Sequence, residues 1–349
     1  MSAFITSPHT TPKMLSNSVT RMMLLVMLAL IPGYLVYIWF FGWGLIINAV
    51  LCVSTALLAE AAMLRLRQRP LWPYLTDGSA LVTALLLALA LPPILPWWLA
   101  VLASLFAIIL AKHLYGGLGY NPFNPAMVGY AILLIAYPKY MTAWLPARHD
   151  GLSLGFMDNL RYNLFGALPD HTSYDALTQA TPLDKLHIQL GLGKTVAETQ
   201  ASFHQFSGLY GVGWDWVSLM LLLGGLFLIY KRVIAWQIPV AMLASLALIA
   251  LIAWLVNAAT YPNPLFELFG GASMLGAFFI ATDPVTASTT PRGRLIYGAG
   301  IGILTYVIRT WGGYPDGVAF GVLLMNLAAP TIDQYTQPRV FGHERDKSA

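Results

Sequence analysis

Residues 78–93 read GSALVTALLLALALPP, an apolar run that begins at a glycine and ends at two prolines. The 14 residues from Gly78 to Leu91 would form a helix about 21 Å long. That is short of the roughly 30 Å hydrocarbon core of a bilayer. Non-helical backbone at membrane depth is tolerated only where protein buries it or water lines it. The stretch therefore indicates either a half helix in a membrane protein or a span kinked by proline.

A second stretch of the same kind lies 192 residues further on, because Gly270 and Pro284 repeat the spacing of Gly78 and Pro92. This second run is shorter still and stops at Asp283-Pro284. Matching interruptions in two halves of a chain are typical of transporters built from inverted repeats, whose discontinuous helices form the central site. We therefore favour half helices over simple kinks.

The composition of the whole chain excludes most soluble classes. Of 349 residues, 58% are apolar and only 10% are charged, whereas soluble domains average about 25% charged residues. The net charge of +4 does not indicate nucleic acid, because the basic residues are scattered and gather on no face. Cys52 is the single cysteine, so the chain holds neither a disulfide nor a cysteine-built metal or iron–sulfur site.

The apolar runs predict an all-α polytopic membrane protein with ten transmembrane helices, arranged as two inverted five-helix repeats with broken helices. Residues 1–141 form the first repeat, 142–213 a long extracytoplasmic loop, and 214–349 the second repeat with a cytoplasmic tail. The predicted spans are 22–41, 44–64, 80–95, 97–114, 126–141, 214–230, 234–256, 272–282, 295–309 and 317–331.

The distribution of basic residues predicts the orientation. If the N-terminus is cytoplasmic, the inner side carries 13 Lys and Arg residues and the outer side 6, of which four lie in the long loop. Short cytoplasmic loops are enriched in Lys and Arg, and long loops count little in this rule. We therefore expect both termini inside and residues 142–213 outside.

Acidic residues within or beside the spans are candidates for an ion path, because ionisable groups are costly in a bilayer. Asp283 lies beside the second break, and we expect it either in the ion path or in an interfacial structural role. Asp316, in the segment YPDG at 314–317, belongs either to the ion path or to a turn that opens the last helix. Glu60 is expected to pair with the arginine cluster at 65–69.

Two further polar segments precede apolar runs. Asp77 comes directly before Gly78-Ser79 and is predicted to cap the helix that follows. In the segment NPFNP at 121–125, Asn121 and Asn124 offer donors and acceptors. They either contact a ligand or form a capping turn.

The long loop contains the segment DALTQATP at 175–182, a polar cluster of the kind found in turns. It resembles the flavinylation motif: Asp, two variable residues, Ser or Thr, Gly, Ala, Thr. In that motif the last threonine carries FMN through a phosphoester. Gln179 stands where the motif has glycine. The matching positions are Asp175, Thr178, Ala180 and Thr181, the last of which would carry the FMN.

The resemblance extends over nearly the whole chain. Five segments look like the D subunit of the bacterial Rnf (Rsx) electron-transport complex, to which the B subunit of the Na⁺-translocating NADH:quinone reductase is more distantly related. The segments are DGSA at 77–80, GYNPFNPAM at 119–127, ATDPV at 281–285, YPDGVAF at 314–320 and QPRVFGH at 337–343.

The resemblance implies an electron-carrying flavoprotein subunit of a translocase in the bacterial inner membrane, with a periplasmic loop. Such a complex couples electron transfer between ferredoxin and NAD to translocation of Na⁺ or H⁺. This chain alone would hold no complete catalytic site. Its implied partners are the other membrane, flavin and iron–sulfur subunits, a flavin-attaching enzyme and the lipid bilayer.

The same resemblance implies a second, non-covalent flavin, riboflavin, in the membrane domain, with Asn121 and Asn124 as its contacts. The ring of the covalent FMN is expected to stack on a loop aromatic such as Tyr162, Tyr174 or Phe206. The alternative function is a channel or transporter of the urea or ammonium type without a redox cofactor, because inverted five-span repeats also suit that class.

The orientation can be tested with reporter fusions. A reporter enzyme that is active only in the periplasm should be active when it is fused near Thr178, because this position lies in the predicted outer loop. The matched fusion at Arg232, in a predicted inner loop, should be inactive. Activity at Thr178 from a reporter that works only in the cytoplasm would overturn the predicted number of spans.

Overall fold

The computed structural model describes residues 12–148, 154–168, 173–203 and 211–337. Within these ranges the chain is helical and contains no β-strand; one isolated antiparallel bridge joins Trp144 to Gln179. An apolar chain that satisfies its backbone polar groups within helices can lie in a membrane. The predicted all-α class is therefore confirmed.

The helices before residue 142 are, in chain order, α1 Pro12–Phe41, α2 Gly44–Leu66, α3 Leu71–Leu75, α4 Ser79–Ala90, α5 Trp97–Leu105, α6 Pro125–Ala136 and α7 Pro138–Met141. Among them, α3 and α4 are separated by a break, and so are α6 and α7. The fifth helix continues as a π-helix over Phe106–His113.

The long loop and the helices after it follow. The described parts of the loop contain the short helices α8 Phe156–Phe165, α9 Tyr174–Leu177, α10 Pro182–Gly191 and α11 Val196–Ser202. A π-helix over Gly276–Ile280 extends α15. The remaining helices are α12 Trp214–Tyr230, α13 Gln237–Val256, α14 Pro264–Phe269, α15 Ser273–Leu275, α16 Pro291–Trp311 and α17 Val318–Thr336.

Both interruptions predicted from the sequence are breaks in a helix. Gly78, with φ of +82°, separates α3 from α4, and α4 ends where Leu91 adopts an extended conformation before Pro92. Only glycine adopts such a positive φ at little cost, and proline restricts the residue before it to extended conformations. The second stretch likewise begins at a helix break, because Gly270 follows the end of α14 at Phe269 and α15 starts only at Ser273. These are breaks and not simple kinks.

Two predicted spans differ from the structure. The span 126–141 is divided at Tyr137 into α6 and α7, because Pro138 excludes the preceding residue from the α-helical region. The span 272–282 is only one short α-helix with a π-helical extension.

Among the described residues, four helical segments are long and apolar enough to cross a bilayer: Val19–Phe41, Gly44–Leu66, Leu71–Ala90 and Gln237–Val256. Three shorter helices are also apolar.

Small residues let the long helices approach closely. Helix α1 packs along α12, α2 along α4 and α5, and α16 against α13 and α17. A Cβ added to Gly298 would lie 2.5 Å from the Ile238 carbonyl oxygen, and one added to Gly302 would collide with the Met242 carbonyl. These two glycines therefore let α16 approach α13 closely.

The long loop folds onto the helices that flank it. Leu177 and Tyr162 pack with Ile94 in one apolar cluster, and Leu183 packs with Phe266 in another. The loop segment 178–181, which lies between Leu177 and Leu183, is thereby held against the helices that these clusters include.

Candidate functional site

The segment that resembles the flavinylation motif is held by main-chain hydrogen bonds. The Trp144 N–H donates to the Gln179 carbonyl over 3.0 Å, and the Gln179 N–H donates to the Trp144 carbonyl over 2.8 Å. Gln179 is extended here and has no positive φ. Position 179 therefore needs no glycine for its backbone, and the departure from the motif creates no strain.

Thr181 is the N-cap of α10. Its Oγ1 accepts a hydrogen bond from the Asp184 N–H over 3.3 Å, and Pro182 occupies the first helical position. Burial raises the pKa of the Asp184 carboxyl above its usual value. The exposed N–H groups at the start of a helix, together with the helix dipole, attract phosphate. A phosphoester on Thr181 would lie at such a helix start.

Thr181 also lines a cavity of about 100 Å³, which we call the first cavity. Its wall comes from α1, α6, α12 and α17 and from the segment around α15. Most of the wall is apolar or aromatic. The aromatic and polar lining comprises Tyr37, Tyr130, Trp144, Thr181, Trp214, Ser218 and Asp316.

The aromatic wall is a packed group rather than a set of free side chains. The Trp144 and Trp214 rings lie 5.1 Å apart at 67°, and the Phe41 and Trp214 rings 4.8 Å apart at 47°. Because Trp144 also pairs with Gln179 through its backbone, the wall and the threonine segment are held as one unit. This is the kind of concave, mostly apolar site that takes a planar ligand.

The other predicted motif residues stay outside this cavity. The Thr178 hydroxyl donates to the Tyr174 carbonyl over 3.0 Å, Asp175 is exposed on α9, and Ala180 is half-buried. Tyr162 and Tyr174 stack on each other with ring centroids 6.3 Å apart, and burial raises the pKa of Tyr162 to about 12. Neither lines the first cavity.

The aromatic wall of the first cavity consists instead of Tyr37, Tyr130, Trp144 and Trp214, and the stacking of a flavin on Tyr162 or Tyr174 stays a prediction. The remoteness of the wall residues in sequence from Thr181 explains why sequence reasoning missed them. The third aromatic that the sequence suggested, Phe206, lies outside the described residues.

A buried ion network closes one side of the first cavity. Arg309 donates to both carboxylate oxygens of Asp316 over 2.9 and 3.1 Å, and to the Glu267 carboxylate over 3.2 Å. Asp316 also accepts from the Ala272 N–H over 2.9 Å at the start of α15, and from the Val318 N–H at the start of α17. Asp316 is thus a turn residue that opens α17, as one of its two interpretations expected, and the partner of a buried arginine.

A second cavity, of about 90 Å³, brings together three residues singled out in the sequence: Asn121, Asn124 and Asp283. Ser79 and Lys112 line it as well. Asn121, Asn124 and Asp283 are up to 162 residues apart in sequence, so their meeting is a finding of the fold. The second cavity and the first have no lining residue in common.

The two asparagines differ in their free atoms. Both polar atoms of the Asn124 side chain are hydrogen-bonded: its Oδ1 accepts from the Met127 N–H over 3.2 Å, and its Nδ2 donates to the Ile280 carbonyl over 3.3 Å. The Nδ2 of Asn121 donates to the Phe123 carbonyl over 3.1 Å, but its buried Oδ1 has no hydrogen-bond partner among the described residues. Asn121 therefore has an acceptor free for a ligand, whereas Asn124 acts as the N-cap of α6.

Asp283 is half-buried at the edge of the second cavity. Its two carboxylate oxygens accept from the Val285 N–H and the Thr286 hydroxyl, each over 3.2 Å. Asp283 has no ion pair with a described residue. A carboxylate that is only partly satisfied and faces a cavity retains the capacity to hold a cation.

The expected pairing of Glu60 with the arginine cluster at 65–69 is wrong. Lys112 Nζ donates to both Glu60 carboxylate oxygens, over 2.9 and 2.7 Å, and to the Ser79 hydroxyl over 2.9 Å. His113 Nε2 lies 3.3 Å from Glu60. Burial selects this pairing, because Glu60 and Lys112 are each 2% exposed and a buried charge requires a buried partner. The signal in the sequence was a lysine and a histidine at the end of an apolar run.

Comparison with known proteins places these sites in a family. The NQR2, RnfD, RnfE family matches residues 4–342. The chain belongs to this family. It is 52% identical to the D subunit of the ion-translocating oxidoreductase complex of Aliivibrio salmonicida, over 99% of this chain and all of that protein. It is 54% identical to the protein of the same name from Aeromonas salmonicida, over 93% and 95% of the two chains. The apolar helices and the membership of this family together indicate a multi-pass membrane protein.

The Glu60–Lys112 pair yields a stability prediction. Lys112→Met should lower the stability of the protein by about 3–5 kcal/mol, because it leaves a buried carboxylate without its cation. The double variant with Glu60→Gln should regain most of that loss. Thermal unfolding of the purified protein in detergent measures both, with the exposed Arg292→Met as control. A double variant as unstable as the single one would contradict the pairing.

Proposed function

We propose that this chain is the D subunit of an ion-translocating electron-transport complex of the Rnf type and that it carries electrons on flavin. The observation that supports this most directly is the position of Thr181. The residue caps a helix at the edge of an aromatic-walled cavity, within a segment that matches a flavin-attachment motif. The relatives named as the D subunit of the ion-translocating oxidoreductase complex match over 95% or more of their length.

The residues around Thr181 suit an FMN joined through its phosphate. The phosphoester would lie at the N-terminus of α10, where backbone N–H groups favour an anion. The ring would be directed at the wall formed by Tyr37, Trp144 and Trp214, whose apolar and aromatic surfaces complement a planar heterocycle. The flavin supplies one- and two-electron redox chemistry. The protein anchors it, orients it and shields it from water.

We further propose that the second cavity binds a non-covalent flavin, riboflavin. The free Oδ1 of Asn121 offers an acceptor to an N–H of the ligand. Asn124 contributes indirectly, because its side chain joins α6 to the end of the π-helix at Ile280 and so shapes the cavity.

The helix bounds support the arrangement in two inverted repeats. Shifted by 192 residues, the first residues of α2, α3, α4, α5 and α6 become 236, 263, 271, 289 and 317. Helices α13, α14, α15, α16 and α17 begin at 237, 264, 273, 291 and 318, each within two residues of those positions. With α1 and α12 added, each half contributes five crossings. An odd number per half makes the halves run oppositely through the bilayer.

In this proposal the protein lies in the bacterial inner membrane with both termini inside and residues 142–213 in the periplasm. Asp283 and Asp316 are the candidate residues of a path for Na⁺ or H⁺. Asp283 faces the second cavity, while Asp316 joins the first cavity to the buried Arg309. The partners are the other flavin, iron–sulfur and membrane subunits of the complex and an enzyme that attaches the FMN.

The covalent flavin is tested by Thr181→Ala. The variant should lose the fluorescent flavin band on a denaturing gel, because the oxygen that would form the phosphoester is absent. Thr195 is a matched control, since it caps α11 in the same loop with the same geometry. Each alanine should cost about 1 kcal/mol for the lost cap, but Thr195→Ala should keep the band. Thr181→Ser retains the hydroxyl and should keep part of the labelling.

Two outcomes would count against this proposal. One is a fluorescent band of normal intensity from Thr181→Ala. The other is the absence of the band from the unaltered protein when it is produced together with its flavin-attaching enzyme. In the second case the channel function without a redox cofactor would become the better explanation of the repeats.

The ion path is tested by Asp283→Asn in the complete complex in liposomes. Ion uptake coupled to electron transfer should fall, because the amide cannot carry the negative charge beside the second cavity. The covalent flavin should stay in place, since Thr181 lines the other cavity. The control is Asp158→Asn, in the loop helix α8. Unchanged coupling across a range of ion concentrations and pH would assign Asp283 a structural role only.

A further inference from the structure

The end of the half helix α4 is surrounded by buried asparagines. Beyond Leu91 the chain leaves the helix, and the Pro92 carbonyl accepts a turn hydrogen bond from the Leu95 N–H over 3.2 Å. Asn48 Nδ2, on α2, donates to the Pro92 carbonyl over 2.8 Å, and Asn163 Nδ2, on α8, donates to the Pro93 carbonyl over 3.2 Å. These two bonds fix the orientation of both amides, because only the nitrogen can donate.

The opposite atoms of these amides have no partner. Asn48 Oδ1 and Asn163 Oδ1 are buried without a hydrogen bond from any described residue, and so are both Oδ1 and Nδ2 of Asn159. The three side chains are 0%, 1% and 0% exposed, respectively. Asn159 and Asn163 are four residues apart on α8, which packs against α2, so they share one helix face.

Asn48 and Asn163 bind adjacent carbonyls and Asn159 lies one turn from Asn163, so three unpartnered oxygens and one unpartnered nitrogen belong to the same small region. A buried polar atom without a partner costs about 1–3 kcal/mol, so a ligand that pairs with these atoms would stabilise the folded protein. Because unpartnered acceptors outnumber unpartnered donors, the group that binds here should be a hydrogen-bond donor or a cation and not an anion. The C-terminal end of α4 adds to this preference, because the dipole of a helix places partial negative charge there.

We propose that Asn48, Asn159 and Asn163 bind a dehydrated Na⁺ ion at the end of α4. Neutral amide and carbonyl oxygens at the end of a discontinuous helix are ligands that suit a monovalent cation in a membrane protein. Ca²⁺ is bound mainly by carboxylates, and these three side chains carry none. The site involves neither cavity and none of the flavin residues, so it is independent of the covalent flavin.

The inference is tested on the purified full-length protein by thermal unfolding in NaCl, KCl and choline chloride at equal ionic strength. Na⁺ should raise the midpoint of the unaltered protein in a saturable way, because a ligand that binds only the folded state stabilises it. Asn159→Leu removes both unpartnered atoms of that amide at similar volume. It should raise the midpoint in choline, where the site is empty, yet weaken the Na⁺ response by about tenfold or more.

Two further variants separate an ion site from a folding defect. Asn159→Asp adds a carboxylate of the same shape and should lower the half-saturating Na⁺ concentration. Asn326→Leu removes a buried asparagine whose amide is fully partnered, so it should lower the midpoint equally in all three salts. Equal midpoints of the unaltered protein in Na⁺ and choline would overturn the proposal, and so would an undiminished Na⁺ response in Asn159→Leu. In either case the asparagines hold only water.

Discussion

The constraint on which this structure depends is that a helix broken inside a membrane must have partners for its free backbone groups. At the start of α4 the Asp77 carboxylate accepts from the Ser79 N–H over 2.7 Å, and at the start of α15 Asp316 accepts from the Ala272 N–H over 2.9 Å. Each polar cap then needs a partner of its own. Lys112 binds the Ser79 hydroxyl and Arg309 binds Asp316. The broken helices therefore explain why Lys112 and Arg309 are buried.

The same breaks explain why the candidate sites lie where they do. A helix that crossed the whole membrane would fill the space between the two halves of the chain, whereas a half helix leaves a cavity beside its terminus. The first cavity lies beside the start of α15 and the second beside the start of α4. The long loop contributes Thr181 to the wall of the first cavity, and the pairing of Gln179 with Trp144 holds it there. A tethered cofactor at that position would reach a dry, aromatic environment without leaving its loop.

Much of this architecture could be predicted from local patterns in the sequence, and the exceptions share a cause. The breaks were predictable because Gly78 and Pro92 act on the backbone beside them. The bond from the Ser79 N–H to Asp77 was predictable because it spans two residues, although the N-cap position itself belongs to Gly78. The pairing of Glu60 with Lys112 was missed because the partners are 52 residues apart, and arginines nearer in the sequence competed for it. Trp144 and Trp214 were missed as cavity wall for the same reason. The periodicity of apolar residues along the sequence indicates that a residue is buried, but it does not indicate which helix that residue packs against.

We propose that Thr181 holds a flavin whose ring enters the first cavity. The most direct test is an experimental density map of the complete complex, purified after production with its flavin-attaching enzyme. We predict density continuous with Thr181 Oγ1 and a planar ring against Trp144, Trp214 or Tyr37. An unmodified Thr181 with the first cavity filled by lipid or by side chains would contradict it.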